Sequence, residues 1–268
     1  SVETQIGALY VYLNEVDEAE PHLRRALALA PNYCAARYKW AEVIARRGDL
    51  PTGLAELRRA VEDNPSLSDA RRDLVQAYMT QQRRPEAIAV LERVCARRPH
   101  DAPARLELAA LHADAGDDAR AAAEVREAIR LRPGAPEAYF QLGLIEAKRG
   151  ELGAAAAAFG RVTELAPLNA RAWLALGQVQ IGLSQPEAAE ASLESAKRLA
   201  PRDPGVLITW ASGLRAIGRL ETAVARCLAE DPSAAERRYG LVYLFLELGD
   251  TARALEEYER LRAIEPSL

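Results

Sequence analysis

The sequence predicts an all-α protein made of one repeated pair of helices, and three observations carry that prediction. Prolines stand at 31, 65, 99, 133, 167 and 201, each 34 residues after the last, with two more at 232 and 266. Twelve places ahead of most of them sits a small residue: Ala19, Gly53, Ala87, Ala121, Ala155, Ala189 and Ala254. Inside each period the apolar residues recur at helical spacing, and the pattern breaks once in the middle. The result is eight units, about 1–33, 34–67, 68–101, 102–135, 136–169, 170–203, 204–234 and 235–268, read as one array over 1–268.

Each unit opens with a helix centred on a large residue followed by a small one. The pairs are Ile6-Gly7, Trp40-Ala41, Leu74-Val75, Leu108-Ala109, Leu142-Gly143, Leu176-Gly177, Trp210-Ala211 and Leu241-Val242. A turn follows, marked by Gly48-Asp49, Gly116-Asp117, Gly150-Glu151, Gly218-Arg219 and Gly249-Asp250, glycine acting as a helix terminator. The second helix then starts. Pro51, Pro85 and Pro186 fall just inside it, where a missing N–H costs little. In the fifth unit Ala155, Phe159 and Val162 form its apolar face. The closing proline ends it. The seventh unit departs from the period, with nine residues from Ala223 to Pro232 in place of twelve. Its second helix is expected to stop a turn early, with Ser233 and Glu236 as a capping box for the next one.

These residues resemble the tetratricopeptide repeat pattern, Trp-x2-Leu-Gly-x2-Tyr, then Ala-x3-Phe, then Pro. The sixth unit supplies Trp173, Leu176, Gly177, Ala189, Leu193 and Pro201, with Gln180 in place of the tyrosine. The fifth supplies Tyr139, Leu142, Gly143, Ala155, Phe159 and Pro167, and the first Gly7, Tyr10, Ala19, Leu23, Ala26 and Pro31. The resemblance covers essentially the whole chain. It implies a right-handed α–α superhelix, a solenoid of antiparallel helix pairs. Helices of ~12–15 residues are marginal alone, so each must bury its apolar stripe against its neighbours. Within a pair, Trp173 and Leu176 are expected to fill the space between helices while Gly177 lets backbones approach.

Composition narrows the function. The net charge of −4 exerts no strong pull on nucleic acid or anionic membrane. Arginine far outnumbers lysine, of which only Lys39, Lys148 and Lys197 occur, as in a GC-rich bacterial genome. The doublets from Arg46-Arg47 to Arg97-Arg98 are diluted by acids and lack stacking aromatics, so a solvated face is preferred to a phosphate-binding one. Acidic residues on helix surfaces are expected to pair with arginines four residues away. Cys34, Cys95 and Cys227 are far apart and read as small core residues, and His22, His100 and His112 lack metal-ligand spacing. No metal or cofactor is expected. No run reaches the ~18 apolar residues of a membrane helix. A cytoplasmic location is expected, or a periplasmic one if an upstream signal has been removed. Ser1 stands where an initiator methionine would, which reads as a piece of a longer protein.

What remains is a surface that binds, with no enzymatic centre. The resemblance implies that the first helix of each unit lines an inner, concave wall on which a partner protein or peptide lies. Carried over by repeat position, that wall holds Tyr38, Lys39, Glu42 and Arg46, then Asp69, Arg72, Asp73 and Gln76. From the fourth unit it turns apolar through Leu106, Phe140, Leu174, Ile208 and Tyr239, extended by Leu144, Ile181, Tyr243 and Leu246. Glu107, Gln141 and Gln178 complete the candidates. Two readings stay open for the apolar strip: packing against adjacent helices, or a groove for an amphipathic helix or extended peptide. Two family devices are absent. The carboxylate clamp of chaperone-tail binders would need lysine, asparagine and arginine where Tyr38, Glu42, Asp73, Pro103 and Glu107 stand. The asparagine ladder of sugar-transferring relatives is replaced by Gln5, Lys39, Asp73, Glu107, Gln141, Ala175, Thr209 and Gly240. Neither end carries a polar capping helix, which leaves self-association through the ends, or the targeting arm of a larger enzyme or secretion machine, as alternatives.

Overall fold

The computed structural model describes residues 1–229 and 235–265. Every regular element among them is a helix, two to each unit. In order they are α1 (Val2–Tyr12) and α2 (Val16–Leu29), α3 (Cys34–Arg46) and α4 (Leu50–Asp63), α5 (Ser68–Thr80) and α6 (Arg84–Arg97), α7 (Ala102–Asp114) and α8 (Asp118–Leu131). Then come α9 (Pro136–Lys148) and α10 (Leu152–Leu165), α11 (Ala170–Gly182) and α12 (Pro186–Leu199), α13 (Pro204–Ala216) and α14 (Leu220–Ala229), α15 (Ala235–Glu247) and α16 (Thr251–Ile264). They fall into two compact bodies, Ser1–Asp117 and Asp118–Leu268, so the break lies inside the fourth unit.

The prolines act as the sequence suggests. Ala30, Asn64, Arg98, Ala166 and Ala200, each just before a closing proline, hold φ between −132° and −144° with ψ from 66° to 89°. The proline ring clashes with a helical conformation of the residue before it, so the helix must stop there. The expected early stop in the seventh unit, with Pro232 and the Ser233 cap, lies outside the described residues, as does Pro266.

The turn inside each unit is a left-handed cap. The residue at positions 14, 48, 82, 116, 150, 184, 218 and 249 has positive φ in every unit. The amide after it donates to a carbonyl five residues back, as Asp49 does to Ile44 at 3.2 Å and Glu151 to Glu146 at 2.9 Å. This satisfies carbonyls that the helix end leaves without partners. Five of the eight positions are glycine; Asn14, Gln82 and Ser184 take the same conformation with a Cβ.

Packing within a pair follows the small-to-large pattern. A Cβ on Gly143 would stand 2.6 Å from the Phe159 ring, and one on Gly177 2.9 Å from Leu193 Cγ. The glycine therefore makes room chiefly for a large side chain of the second helix, where the sequence suggested a meeting of backbones. In the amino-terminal body, Val11, Ala19, Leu23 and Val43 form one core cluster, and Leu74, Leu91, Val94 and Leu108 belong to a second. In the carboxy-terminal body, Phe159 and Leu176 lie in one cluster, and Leu193, Trp210, Leu214 and Leu241 in another. Cys95 and Cys227 are buried and Cys34 half-buried, all three as free thiols.

Ion pairs depart from the four-residue expectation. Arg24 with Glu20 at 2.7 Å follows it. Others join neighbouring units instead: Arg93 with Glu62 at 3.0 Å, Lys148 with Asp118 at 2.7 Å, and Arg71 with Glu107 at 2.9 Å. A 34-residue repeat sets equivalent surfaces side by side, so residues about one period apart face each other. Inside a pair, one place bridges the two helices repeatedly: Glu3 to His22, Arg37 to Glu56 and Arg238 to Glu257, at 2.7, 2.7 and 2.8 Å. Exposed pairs such as Arg93 with Glu62 contribute ~0–1 kcal/mol each, whereas Arg37 and Glu257 are buried. Glu146 is buried as well, its carboxylate held by Arg126 and Arg149.

Candidate functional site

In the amino-terminal body the candidate side chains lie on α3, α5 and α7, and most are engaged with one another. The Tyr38 hydroxyl donates to Asp73 Oδ2 at 2.7 Å. Lys39 donates to Glu42 at 3.0 Å, and Arg46 donates to the other oxygen of Glu42 and to the Val11 carbonyl. Glu107 is turned to a different task, accepting two bonds from the buried Arg71, which also meets Asp101 at 3.3 Å. Arg72 is exposed, with Asp69 at 3.6 Å, and Gln76 is exposed as well. Leu106 is half-buried.

Tyr38, Glu42 and Asp73 edge a pocket of about 190 Å³ between α3, α4 and α5. Its walls are otherwise mostly apolar, with Ala41, Ala45, Leu50, Leu54, Leu57 and Ala77, and Gly53 and the polar Gln81 complete the lining. The Tyr38 phenol is pushed well above the usual tyrosine range by burial, by its bond to Asp73, and by the charges of Asp73, Glu42 and Asp69. A neutral phenol is thus fixed as a donor to a carboxylate at the mouth of an apolar hollow.

In the carboxy-terminal body the apolar strip divides in two. Leu174, Ile181, Tyr239 and Tyr243 are half-buried against the large cluster around Trp210, and Phe140 meets Phe159 edge-on at 5.4 Å. The Tyr239 hydroxyl donates to Glu265 at 3.0 Å, and burial followed by that bond raises its pKa. Leu144 and Ile208, by contrast, are 51% and 52% exposed. Phe140, Gln141 and Leu144 line an open pocket with Pro136, Glu137, Ala166, Asn169 and Arg171, so Phe140 faces both core and solvent. Gln178 is exposed, and Leu246 lines a shallow apolar pocket with Leu255 and Tyr258. Arg171 and Glu137 stand at the second repeat position, the place of Asp69 in the third unit, and were missed because only the apolar strip was followed from the fourth unit on. The Asn169 side chain caps α11 and so places Arg171 in that helix's first turn.

Among the described residues, no group of three histidine, cysteine, aspartate or glutamate side chains is placed to hold a metal. Among the described residues, no helix is long and apolar enough to cross a membrane.

The family model for the tetratricopeptide repeat matches residues 4–68, 72–136, 137–204 and 209–267. The chain belongs to the tetratricopeptide repeat family. Each match spans about two of the helix pairs described above, and together they leave only short gaps. Among solved structures, a tetratricopeptide repeat protein from Parabacteroides merdae is similar with a TM-score of 0.58 and 16% identity, over 86% of this chain and 92% of that one. YrrB, a TPR protein with an unusual peptide-binding site, has a TM-score of 0.56 and 22% identity over 69% of this chain and 95% of its own. The pilF protein of Pseudomonas aeruginosa has a TM-score of 0.54 and 19% identity over 75% and 92%. No curated protein matches the chain. Identities this low speak for the fold alone: an all-α array of tetratricopeptide repeats. Repeats of this family form protein–protein interaction scaffolds, and this chain is such a scaffold.

Proposed function

We propose that the first-helix faces of this tetratricopeptide array hold a segment of a partner protein, an amphipathic helix or an extended peptide, without catalysing a reaction on it. The observation that carries this reading is Leu144 and Ile208, two large aliphatic side chains half in solvent on α9 and α13. Beside Leu144 lies an open pocket that already exposes part of Phe140. Apolar surface of this kind is covered at a profit when a partner lays its own apolar face on it. A pre-formed wall of packed helices loses little conformational freedom on binding, which favours affinity. The presence of a peptide-binding site in YrrB, whose fold is similar, is consistent with such a use.

The test is affinity capture with the intact chain and with Leu144→Glu and Ile208→Glu. Both positions are exposed, so neither change should disturb folding, unlike changes at Leu174 or Phe140, which pack on the core. Partners captured by the native chain are expected to be lost, by at least tenfold, from both variants. Partners indifferent to both would place the binding surface elsewhere.

A further inference from the structure

The hollow under Tyr38 has a specific origin. Its wall residue Ala77 occupies the place that holds Val43, Leu111, Ile145, Val179 and Leu244 in other repeats, all of them buried. Across the pocket stands Ala45, whose place in the sixth repeat is taken by Ile181. Two small residues on facing helices therefore leave a space that aliphatic side chains fill in those repeats; the seventh has Gly213 at this place, with Leu193 and Ile181 closing on it. Leu57 shows the consequence: it is half-buried, while its equivalents Leu23, Leu91, Phe159 and Leu193 are at most 1% exposed.

The rim of the space carries two carboxylates, Asp73 and Glu42, with Lys39 Nζ 4.7 Å from the centre of the Tyr38 ring. Asp73 accepts one bond, from the Tyr38 hydroxyl to Oδ2, and no cation among the described residues comes within ion-pair reach of it. Both oxygens of the nearby Glu42 are already taken by Lys39 and Arg46. Asp73 Oδ1 is thus an open acceptor above an apolar well.

We infer that this pocket takes a lysine side chain of the partner segment, its methylene stem against Ala45, Leu54, Leu57 and Ala77 and its ammonium on Asp73. The inference rests on the reading of the first-helix faces as the partner surface. A long aliphatic stem with a charged tip matches an apolar well with a charged rim. A single open carboxylate oxygen suits the compact ammonium; the planar guanidinium of arginine would call for a two-oxygen acceptor. Tyr38, donating its hydroxyl to Oδ2, holds the Asp73 carboxylate in place at the mouth.

The probe is n-butylammonium, titrated into the full chain while the resonances of the Tyr38 ring and the Ala77 methyl are followed, with n-butyrate, n-butanol and n-butylguanidinium as comparisons. Butylammonium should shift both resonances saturably and butyrate should not. Asp73→Asn should weaken binding about tenfold, the loss typical of one charge-assisted hydrogen bond. Ala77→Leu should abolish binding without lowering the helical content or the thermal midpoint of the chain. Equal binding of butanol, or no response to Asp73→Asn, would overturn the inference, and tighter binding of butylguanidinium would overturn the choice of lysine. A captured partner lost from Leu144→Glu yet indifferent to Asp73→Asn and Ala77→Leu would sink this inference and leave the wider reading standing. If capture survives Leu144→Glu and Ile208→Glu, the wider reading falls while a positive butylammonium titration still marks the pocket as a cation site.

Discussion

Two seams in this molecule share one backbone plan and end differently. Where α11 meets α13, a Cβ on Gly213 would stand 2.6 Å from Leu193 Cδ1 and 3.4 Å from Ile181 Cδ1. The smallest residue there leaves no hole, because two large neighbours occupy its place. At the equivalent seam of α3 and α5, Ala77 and Ala45 lie along a pocket of about 190 Å³. The contrast shows that a small residue makes a pocket only where its neighbours across the seam are small too. In a repeat array that sum can change from seam to seam without altering the fold, since each unit packs chiefly on its neighbours.

The sharpest way to break the comparison is to truncate the same repeat position on both sides. Leu193 is fully buried, and Leu193→Ala should cost about 3 kcal/mol, with a range of ~2–5 for such cavities. Leu57→Ala removes a side chain that already borders empty space, so its cost should be about half as large. Urea unfolding of both variants measures the difference. Equal losses would mean that the hollow is closed in solution and that the two seams are alike.

Filling the hollow is the converse. Ala77→Val adds two methyl-sized groups to a wall whose equivalents are Val43 and Val179. Each buried methylene contributes ~0.8 kcal/mol, part of which is lost to imperfect fit, so a gain of about 1 kcal/mol is expected. Replacing Gly213 by valine at the filled seam should do the opposite and destabilise the chain. A rise in urea midpoint for the first and a fall for the second would sustain the contrast. Two falls would refute it.

Much of this fold was legible in the sequence, for a physical reason. The period of prolines, small residues and turns is written in backbone constraints that any single repeat must satisfy, and eight copies of it reinforce one another. The helix ends two residues before Pro31, Pro65, Pro99, Pro133, Pro167 and Pro201 could therefore be placed without coordinates. The site was less legible. Repeat position says which helix face Tyr38, Glu107 or Leu174 occupies, but not that Glu107 is claimed by Arg71 or that Leu174 is half-buried against the Trp210 cluster. Those outcomes depend on side chains about 34 residues away or more than one helix apart. The pocket did leave a trace, Ala77 among aliphatics at its repeat position, which becomes readable only when repeats are compared residue by residue for volume rather than for pattern.

The smallest expected effect tests whether the two seams differ in side chains alone. Gln82 closes α5 near the hollow seam, and Ser184 closes α11 at the filled one, both with φ close to +58° (59° and 57°). A residue with a Cβ is strained in this conformation, and glycine is not. Gln82→Gly and Ser184→Gly should each stabilise the chain by about 0.5 kcal/mol, the relief of strain being partly offset by the greater freedom of glycine in the unfolded state. If the backbones are equivalent, the two gains should match within the precision of paired thermal melts. A gain at Ser184 with a loss at Gln82 would mean that the hollow seam also holds its turn differently. The pocket would then be a feature of the main chain, and Ala77→Val could not fill it.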